Sequence, residues 1–237
     1  MAESKEIPQK RSMTTRILGI LSLVLTAAAL YGAFIYAPPD AEQGEVQRIM
    51  YLHIPTILMA YLAFAVVFAA SFLYLWKRSW HADALAHSSA EIGVLFTALT
   101  IVEGSIWGKA TWGTWWTWDA RLTTTAILLF IYIGYLLLRA LVEDRAQGAV
   151  FAAILGIIGA LDIPIIHFSV YWWRTLHQPP SVLRPRAPAI GGSMLSVLIL
   201  SVVAFAVLYA YLLFKRAEAR KLEDRLFLSR RRVAQSG

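Results

Sequence analysis

The sequence predicts an all-α integral membrane protein built as a bundle of six transmembrane helices. Hydrophobic residues make up 58% of its 237 residues, well above the fraction that a soluble domain carries. They collect in six separate runs, each about as long as the roughly 20 residues that a helix needs to cross a bilayer. Most charged residues lie in the tails and in the short loops between these runs, as in a multi-pass membrane protein.

The six apolar runs define the expected membrane spans. The first run is longer than a signal-peptide core and has no convincing small-residue cleavage site before Pro38, so we interpret it as an anchor. We find no soluble domain, convincing internal repeat or nucleotide-binding loop, and therefore expect a single membrane domain over 1–237 with a basic tail at 215–237. The spans are expected at about residues 17–37, 54–76, 88–107, 122–141, 149–171 and 193–214.

The basic residues of the tails and loops predict the orientation. Lys and Arg concentrate in both tails and in the second and fourth loops, so the positive-inside rule places both termini in the cytoplasm. The loops after the first, third and fifth spans then face outward. This distribution accounts for the net charge of +7 and gives no reason to expect a nucleic acid as partner.

Five of the nine tryptophans lie in one outward segment, the tryptophan tract at 107–121, WGKATWGTWWTWDAR. Gly108 and Gly113 weaken a helix here, and the tryptophans do not alternate as a strand requires. We interpret the tract as an aromatic shelf for a flat, apolar, anionic ligand. An ordinary aromatic belt at the lipid–water interface is the alternative. The five residues are Trp107, Trp112, Trp115, Trp116 and Trp118.

The fifth loop faces outward yet is basic. It contains Arg174, Arg184 and Arg186 and no acidic residue. Guanidinium groups pair well with carboxylates, so these arginines are candidates to meet an anionic ligand, with phospholipid headgroups as the alternative partner. Lys109, Arg121 and Arg48 lie on the same side and are further candidates.

Two of the five histidines are expected at helix ends on the outer face. His53 precedes Pro55, which is placed to open the second span, and His177 follows the fifth span. His81 and His87 are instead expected in a solvated loop. His167 lies within span five, where a hydrogen bond to a neighbouring helix or a kinked backbone explains it best.

An indole shelf, two imidazoles and several arginines together supply what a haem requires. Neutral imidazole is a standard axial ligand of haem iron, and arginines would pair with the propionates. Because the chain has no cysteine, it has no disulfide, thiolate metal site or CxxCH haem-attachment site. The other ring nitrogen of each histidine is expected to find a hydrogen-bond acceptor. A site that hands its ligand on is also expected to leave one edge open.

Three acidic residues have two interpretations each. Asp119 either orients Arg121 or accepts an indole N–H. Glu103, one helical turn before Trp107, and Asp162, within span five, are functional candidates as intramembrane carboxylates. Pairing with an arginine or the backbone of a neighbouring span is the alternative.

The segment WGTWWTWDARLT, with His53 before it and the TLHQ around His177 after it, resembles the CcmC (HelC) family of haem-handling proteins of cytochrome c maturation system I. The tract is the tryptophan-rich WWD signature of that superfamily. The resemblance covers essentially the whole chain in length, in its six spans and in the order His, WWD tract, His.

The resemblance implies that His53 and His177 are axial ligands of a non-covalently and transiently held haem b, at the periplasmic face of the bacterial inner membrane. It implies delivery of haem to the membrane-anchored haem chaperone CcmE, and association with CcmD and the CcmA–CcmB ABC transporter in the lipid bilayer. It implies a delivery protein rather than an enzyme. The expected haem-binding residues are His53, His177, Trp112, Trp115, Trp116, Trp118, Asp119, Arg121, Arg48, Arg174 and Arg184.

Three other functions are alternatives to haem delivery. A haem-translocating permease would need a polar path across the bilayer, for which Glu91, Glu103 and Asp162 are the candidates. An electron-transfer cytochrome would need paired histidines within the apolar runs, and His167 alone qualifies. An enzyme that ligates haem to an apocytochrome finds little support, because the chain has neither a cysteine relay nor a large extra domain.

Overall fold

The computed structural model describes residues 13–177 and 190–236. This part of the chain forms seven α-helices and no β-strand. A π-helical turn, Gly32–Tyr36, continues the first helix, and a 3-10 turn, Glu45–Ile49, leads into the second. The helices are α1 (Met13–Tyr31), α2 (Met50–Lys77), α3 (Trp80–Trp112), α4 (Ala120–Leu141), α5 (Arg145–Ala160), α6 (Asp162–Trp172) and α7 (Gly192–Ser236).

Six helical segments are long and apolar enough to cross a membrane, since α5 and α6 together make one of them. The predicted six-helix membrane bundle is therefore confirmed. Each predicted span overlaps one of these segments, and most of the segments are longer than predicted because the helices continue into polar residues at their ends. The segments are Met13–Tyr36, Glu45–Lys77, Trp80–Trp112, Ala120–Leu141, Arg145–Trp172 and Gly192–Arg220.

The start of α3 differs from the prediction. The helix begins at Trp80 rather than near residue 88, because the Ser79 hydroxyl caps it by accepting a hydrogen bond from the third residue of the helix. His81 and His87 consequently lie on α3. His81 is exposed, but His87 is buried, so the expectation of a solvated loop histidine at position 87 was wrong.

Helix α2 occupies the centre of the bundle, where it packs along α3 and also contacts α5 and α7. The ring of Phe64 on α2 stacks on Tyr132 of α4, with the ring centroids 3.7 Å apart. Gly93 of α3 allows this close approach, because a Cβ at that position would lie 2.4 Å from the Phe64 ring. The Tyr132 hydroxyl donates to the carbonyl of Gly156 at 2.9 Å. This tightly packed layer separates the two ends of the bundle.

One end of the bundle carries a charged network, and we call it the charged end. Arg139 of α4 donates to the Asp83 carboxylate of α3 at 2.8 Å, and both side chains are buried. Arg216 of α7 pairs through two nitrogens with Glu91 of α3. The His87 imidazole lies 3.1 Å from the same carboxylate. The predicted basic tail is thus an extension of α7, and its first part is fixed to α3.

Candidate functional site at the tryptophan end

The tryptophan tract lies at the opposite end, where α3 ends, α4 begins, α2 begins and α6 ends; we call this the tryptophan end. Helix α3 runs through Trp112, five residues beyond the predicted end at Trp107, and stops at Gly113. Gly113 has φ of 76°, a left-handed conformation that favours glycine and ends a helix. Asp119 caps α4 by accepting a hydrogen bond from the Leu122 backbone N–H at 3.0 Å. The helices therefore fix both ends of the segment 113–119.

The tract exposes much of its aromatic surface. Trp112 is 38% exposed, Trp115 57% and Trp118 82%. Trp116 packs edge to face on Trp118, with the ring centroids 5.6 Å apart. The Trp116 indole nitrogen is buried without a hydrogen-bond partner in the described structure, although a buried indole N–H usually has one. The tract thus offers aromatic faces at the bundle surface and has one buried indole donor without a partner in the described structure.

His177 packs against the tract from the segment after α6. Its imidazole meets the Trp112 indole edge to face, with the ring centroids 4.8 Å apart. Its Nδ1 lies 3.8 Å from the nearer Asp119 carboxylate oxygen, which is too long for a hydrogen bond. The backbone N–H of His177 donates to the Thr175 hydroxyl at 3.0 Å, which fixes the local turn.

His53 lies in the first turns of α2. The predicted opening residue, Pro55, falls inside the helix, because α2 begins at Met50 directly after the 3-10 turn. The His53 imidazole meets the Trp107 indole edge to face, with the ring centroids 5.7 Å apart. On α3, Gly104 leaves room for the ring, because a Cβ there would lie 2.9 Å from His53 Cε1. His53 is therefore held in a slot along α3.

The two histidines lie at the same end of the bundle and contact the same helix. Trp107 and Trp112, which support them, are separated by a rise of about 7.5 Å along α3. The imidazoles are close enough to interact electrostatically, and the charge of Arg121 reaches both. The sequence did not predict this shared support from α3.

The expected acceptors for the second ring nitrogens are found only in part. Nδ1 of His53 and Nδ1 of His177 are both buried and have no hydrogen-bond partner among the described residues, whereas the Thr100 backbone is a hydrogen-bond partner of the His53 imidazole. Both rings also pack against a tryptophan. Asp119 comes nearest to the expected role, but it serves as the cap of α4 and accepts the Thr117 hydroxyl at 3.1 Å.

The predicted arginines differ in their surroundings. Arg121 lies in the first turn of α4 and donates to the carbonyls of Ile166 at 3.4 Å and His167 at 3.3 Å. Its charge also interacts with both imidazoles. Arg174 is exposed shortly before His177. Arg184 and Arg186 lie outside the described residues.

Arg48 is engaged elsewhere. Its guanidinium pairs with Glu45 and donates to the backbone carbonyls of Ala33 and Ala37. These contacts tie Arg48 to the end of the first membrane span rather than to either histidine. Its position on the expected side of the chain did not reveal this structural role.

Two carboxylates near the site have distinct environments. Glu103 accepts a hydrogen bond from the Thr56 hydroxyl at 2.8 Å, so it links α3 to α2. Asp162, at the start of α6, has one buried carboxylate oxygen without a hydrogen-bond partner in the described chain. Among the described residues, Glu103 thus contacts a neighbouring span through a hydroxyl, not through the arginine or backbone group of the alternative interpretation.

His177 is neutral at physiological pH. Its pKa is lowered to about 4, chiefly because burial disfavours the charged imidazolium and also because the Arg121 charge lies nearby; the Asp119 carboxylate partly opposes both effects. A neutral imidazole has a free lone pair for a metal. The pKa of His177 in the folded protein lies below the pKa of about 6.5 that a histidine has in the unfolded chain. The neutral ring therefore makes its full contribution to the free energy of unfolding above pH 6.5, and this contribution is lost as pH falls towards 4.

We expect the His177 imidazole to titrate near pH 4 in the ligand-free protein. The measurement is an NMR pH titration of the ¹⁵N-histidine-labelled protein, with the signal assigned by its absence from the His177→Ala variant. A midpoint at or above about 6.5, the value of an unperturbed histidine, would contradict the expected burial of this ring.

The fold and this geometry define a multi-pass helical membrane protein with a site of histidine, tryptophan and arginine at one end of its bundle. A sequence profile described as CcmC, Heme exporter protein C, matches residues 1–232. The chain belongs to the Heme exporter protein C family, as the resemblance in its sequence predicted.

Curated relatives agree with this assignment. The Heme exporter protein C of Haemophilus influenzae is 41% identical over 208 residues, which is 88% of this chain and 85% of that protein. The protein of the same name from Escherichia coli K12 is 39% identical over 199 residues, covering 84% of this chain and 80% of the relative. A putative cytochrome c biosynthesis ccmC-like mitochondrial protein of Marchantia polymorpha is 44% identical over 158 residues, or 67% of each chain.

Proposed function

We propose that this protein binds haem b non-covalently at the outer face of the membrane and delivers it to the haem chaperone CcmE for c-type cytochrome biogenesis. His53 and His177 are the proposed axial ligands. One observation carries the proposal: two imidazoles from separate parts of the chain are close enough to interact electrostatically, and each packs against a tryptophan of α3.

The donors at this end match the parts of a haem. The two histidines would supply nitrogen ligands to the iron, which can accept up to two ligands from a protein. The Trp112, Trp115 and Trp118 indoles offer aromatic surface for stacking. For the propionates, Arg121 offers a partly buried guanidinium whose present hydrogen bonds to carbonyls are long.

The exposure of the tract supports transfer rather than permanent storage. Trp115 and Trp118 are 57% and 82% exposed, so one edge of a ligand held beside them would stay accessible to a partner. A cofactor that is held permanently is usually enclosed on most of its surface. Such an open edge is expected of a site that hands its ligand on, and it favours a delivery protein over an enzyme.

The family and the names of its relatives support a proposal for the partners and the location. The relatives from Haemophilus influenzae and Escherichia coli are named as haem exporters, and the Marchantia polymorpha relative is named for cytochrome c biosynthesis. We place the protein in the bacterial inner membrane with its tryptophan end in the periplasm. There CcmE would receive haem, with CcmD and the CcmA–CcmB transporter as associated proteins.

A haem-translocating permease subunit is the second candidate, favoured by the word exporter in the names of the relatives. The packing between the two ends favours delivery instead. Phe64, Leu128 and Tyr132 are fully buried there, and Glu91 at the charged end is paired with Arg216. The three carboxylates considered for a polar path therefore lie on both sides of an apolar layer.

The function is tested by haem transfer between purified proteins. The full-length protein, loaded with hemin in detergent, is mixed with the soluble domain of apo-CcmE, and haem is followed by absorbance after separation. We expect a low-spin spectrum typical of two imidazole ligands before mixing and haem on CcmE afterwards. A protein that binds no hemin would refute the proposal, and one that keeps all of its haem would refute delivery.

We expect a cysteine at the tryptophan end to react from the periplasm. Because the chain has no cysteine, Thr111→Cys and His81→Cys each introduce one thiol, at exposed positions on opposite ends of α3. In intact spheroplasts, a membrane-impermeant maleimide should label the first variant, and it should label the second only after permeabilisation. The reverse pattern would overturn the proposed orientation.

A further inference from the structure

A closed turn precedes α2 and presents Gln43. Asp40 and Gly44 exchange two backbone hydrogen bonds of 3.2 and 3.0 Å. The Asp40 carboxylate also accepts the backbone N–H of Glu42 at 3.0 Å and of Gln43 at 2.9 Å. Gly44 has φ of 58°, a conformation that glycine adopts without strain. The backbone that carries Gln43 is therefore well defined.

The Gln43 side chain reaches the haem site through Trp107. The Trp107 indole N–H donates to the Gln43 amide oxygen at 2.8 Å, and this is the single donor that an indole has. The same indole packs edge to face on His53, with an interplanar angle of 81°. Gln43 thus fixes the ring that lies against the proposed iron ligand.

This support matters because His53 lacks the usual one. A metal-binding histidine is normally oriented by a hydrogen bond from its second ring nitrogen, whereas Nδ1 of His53 is buried with no such partner in the part of the chain described. Gly104 confines the ring on one side, and Trp107 contacts it as well. The indole is therefore one of the groups that fix the plane of the imidazole, beside Gly104 and the Thr100 backbone.

We propose that Gln43 is a positioning residue of the haem site, which acts on His53 through the Trp107 indole. The inference rests on the proposed function of His53 as an iron ligand. It assigns a functional role to the turn at 40–44, in which the sequence predicts no candidate residue. Gln43 touches neither histidine, so its effect should pass through Trp107 alone.

The test compares two substitutions of similar size. Gln43→Met removes the acceptor, whereas Gln43→Glu keeps a side-chain oxygen that can accept the indole N–H. Glu42→Gln is the matched control, because Glu42 is exposed in the same turn and contributes only its backbone N–H. The Trp107 indole signal is assigned by its absence from Trp107→Phe.

Two readouts are measured on each full-length variant in detergent. The first is the NMR signal of the Trp107 indole N–H without ligand. The second is hemin affinity, measured together with the ferric low-spin EPR spectrum. The spread of the g values in that spectrum depends on the relative orientation of the two imidazole planes. The loss of one neutral hydrogen bond should weaken hemin binding about fivefold.

We expect Gln43→Met to shift the indole signal, weaken hemin binding and change the EPR spectrum, and Gln43→Glu and Glu42→Gln to retain the properties of the wild type. In a Trp107→Phe background, Gln43→Met should have no further effect. An unchanged indole signal, or a changed signal with unchanged affinity and EPR spectrum, would overturn the positioning role alone. If the wild type binds no hemin, the proposed function fails and this role fails with it, whatever the indole signal shows.

Discussion

Replacement of either His53 or His177 with alanine is expected to abolish the low-spin haem spectrum and to stop delivery to CcmE. Loss of even an outer partner of a metal ligand commonly lowers affinity 10- to 100-fold, so loss of a ligand itself should cost at least about 100-fold. Both variants should bind hemin weakly, with a five-coordinate spectrum. The measurements are hemin titration and the transfer assay on the purified variants.

Two controls separate ligation from folding. His81→Ala removes an exposed histidine at the charged end and should leave both assays unchanged. Added imidazole should restore the low-spin spectrum in each alanine variant, because it can fill the space left by the missing side chain. Wild-type spectra and transfer in both variants would refute the assignment of the two ligands.

Gly104→Ala is the second large effect that we expect. The added Cβ would lie 2.9 Å from His53 Cε1, closer than real Cβ contacts allow, so the imidazole must move out of its slot on α3. We expect hemin affinity to fall at least about tenfold, within the range seen when a metal ligand loses its support. Hemin titration measures this effect, and the melting temperature of the ligand-free protein reports folding.

Gly134→Ala is the matched control. It places the same substitution in α4, where the nearest atom to the new Cβ is a Leu155 methyl carbon at 4.0 Å. Alanine favours a helix over glycine by about 1 kcal/mol, so this variant should keep its affinity and gain slightly in stability. If Gly104→Ala binds hemin as tightly as Gly134→Ala does, the slot does not control His53.

The fold could be predicted from the sequence because its signals are local. Apolar runs of sufficient length and basic loops between them are visible without any tertiary contact. The ends of the helices were harder to predict from the sequence. The polar residues around His87 are typical of a loop, but Arg216 from α7 reaches the same α3 turns and pairs with Glu91 there, so the helix continues through them.

The site was predictable only in part. Tryptophan clustering and histidines at helix ends identified His53, His177 and Trp112, which the structure brings together. Gln43 could not be found this way, because its bond to Trp107 joins residues 64 positions apart and has no sequence pattern. Gly104 could not be found from the sequence either, since only the neighbouring ring of His53 gives it a role.

The common support of the two histidines has a mechanical consequence. Helix α3 has 33 residues and is about 50 Å long; it carries Trp107 and Trp112 near one end and Glu91, bound to Arg216, towards the other. A combined rotation and translation of α3 along its axis would displace both tryptophans, and hence both imidazoles, at the same time. If the two imidazoles hold iron as proposed, a single movement of α3 would weaken both bonds to the metal, without two independent rearrangements.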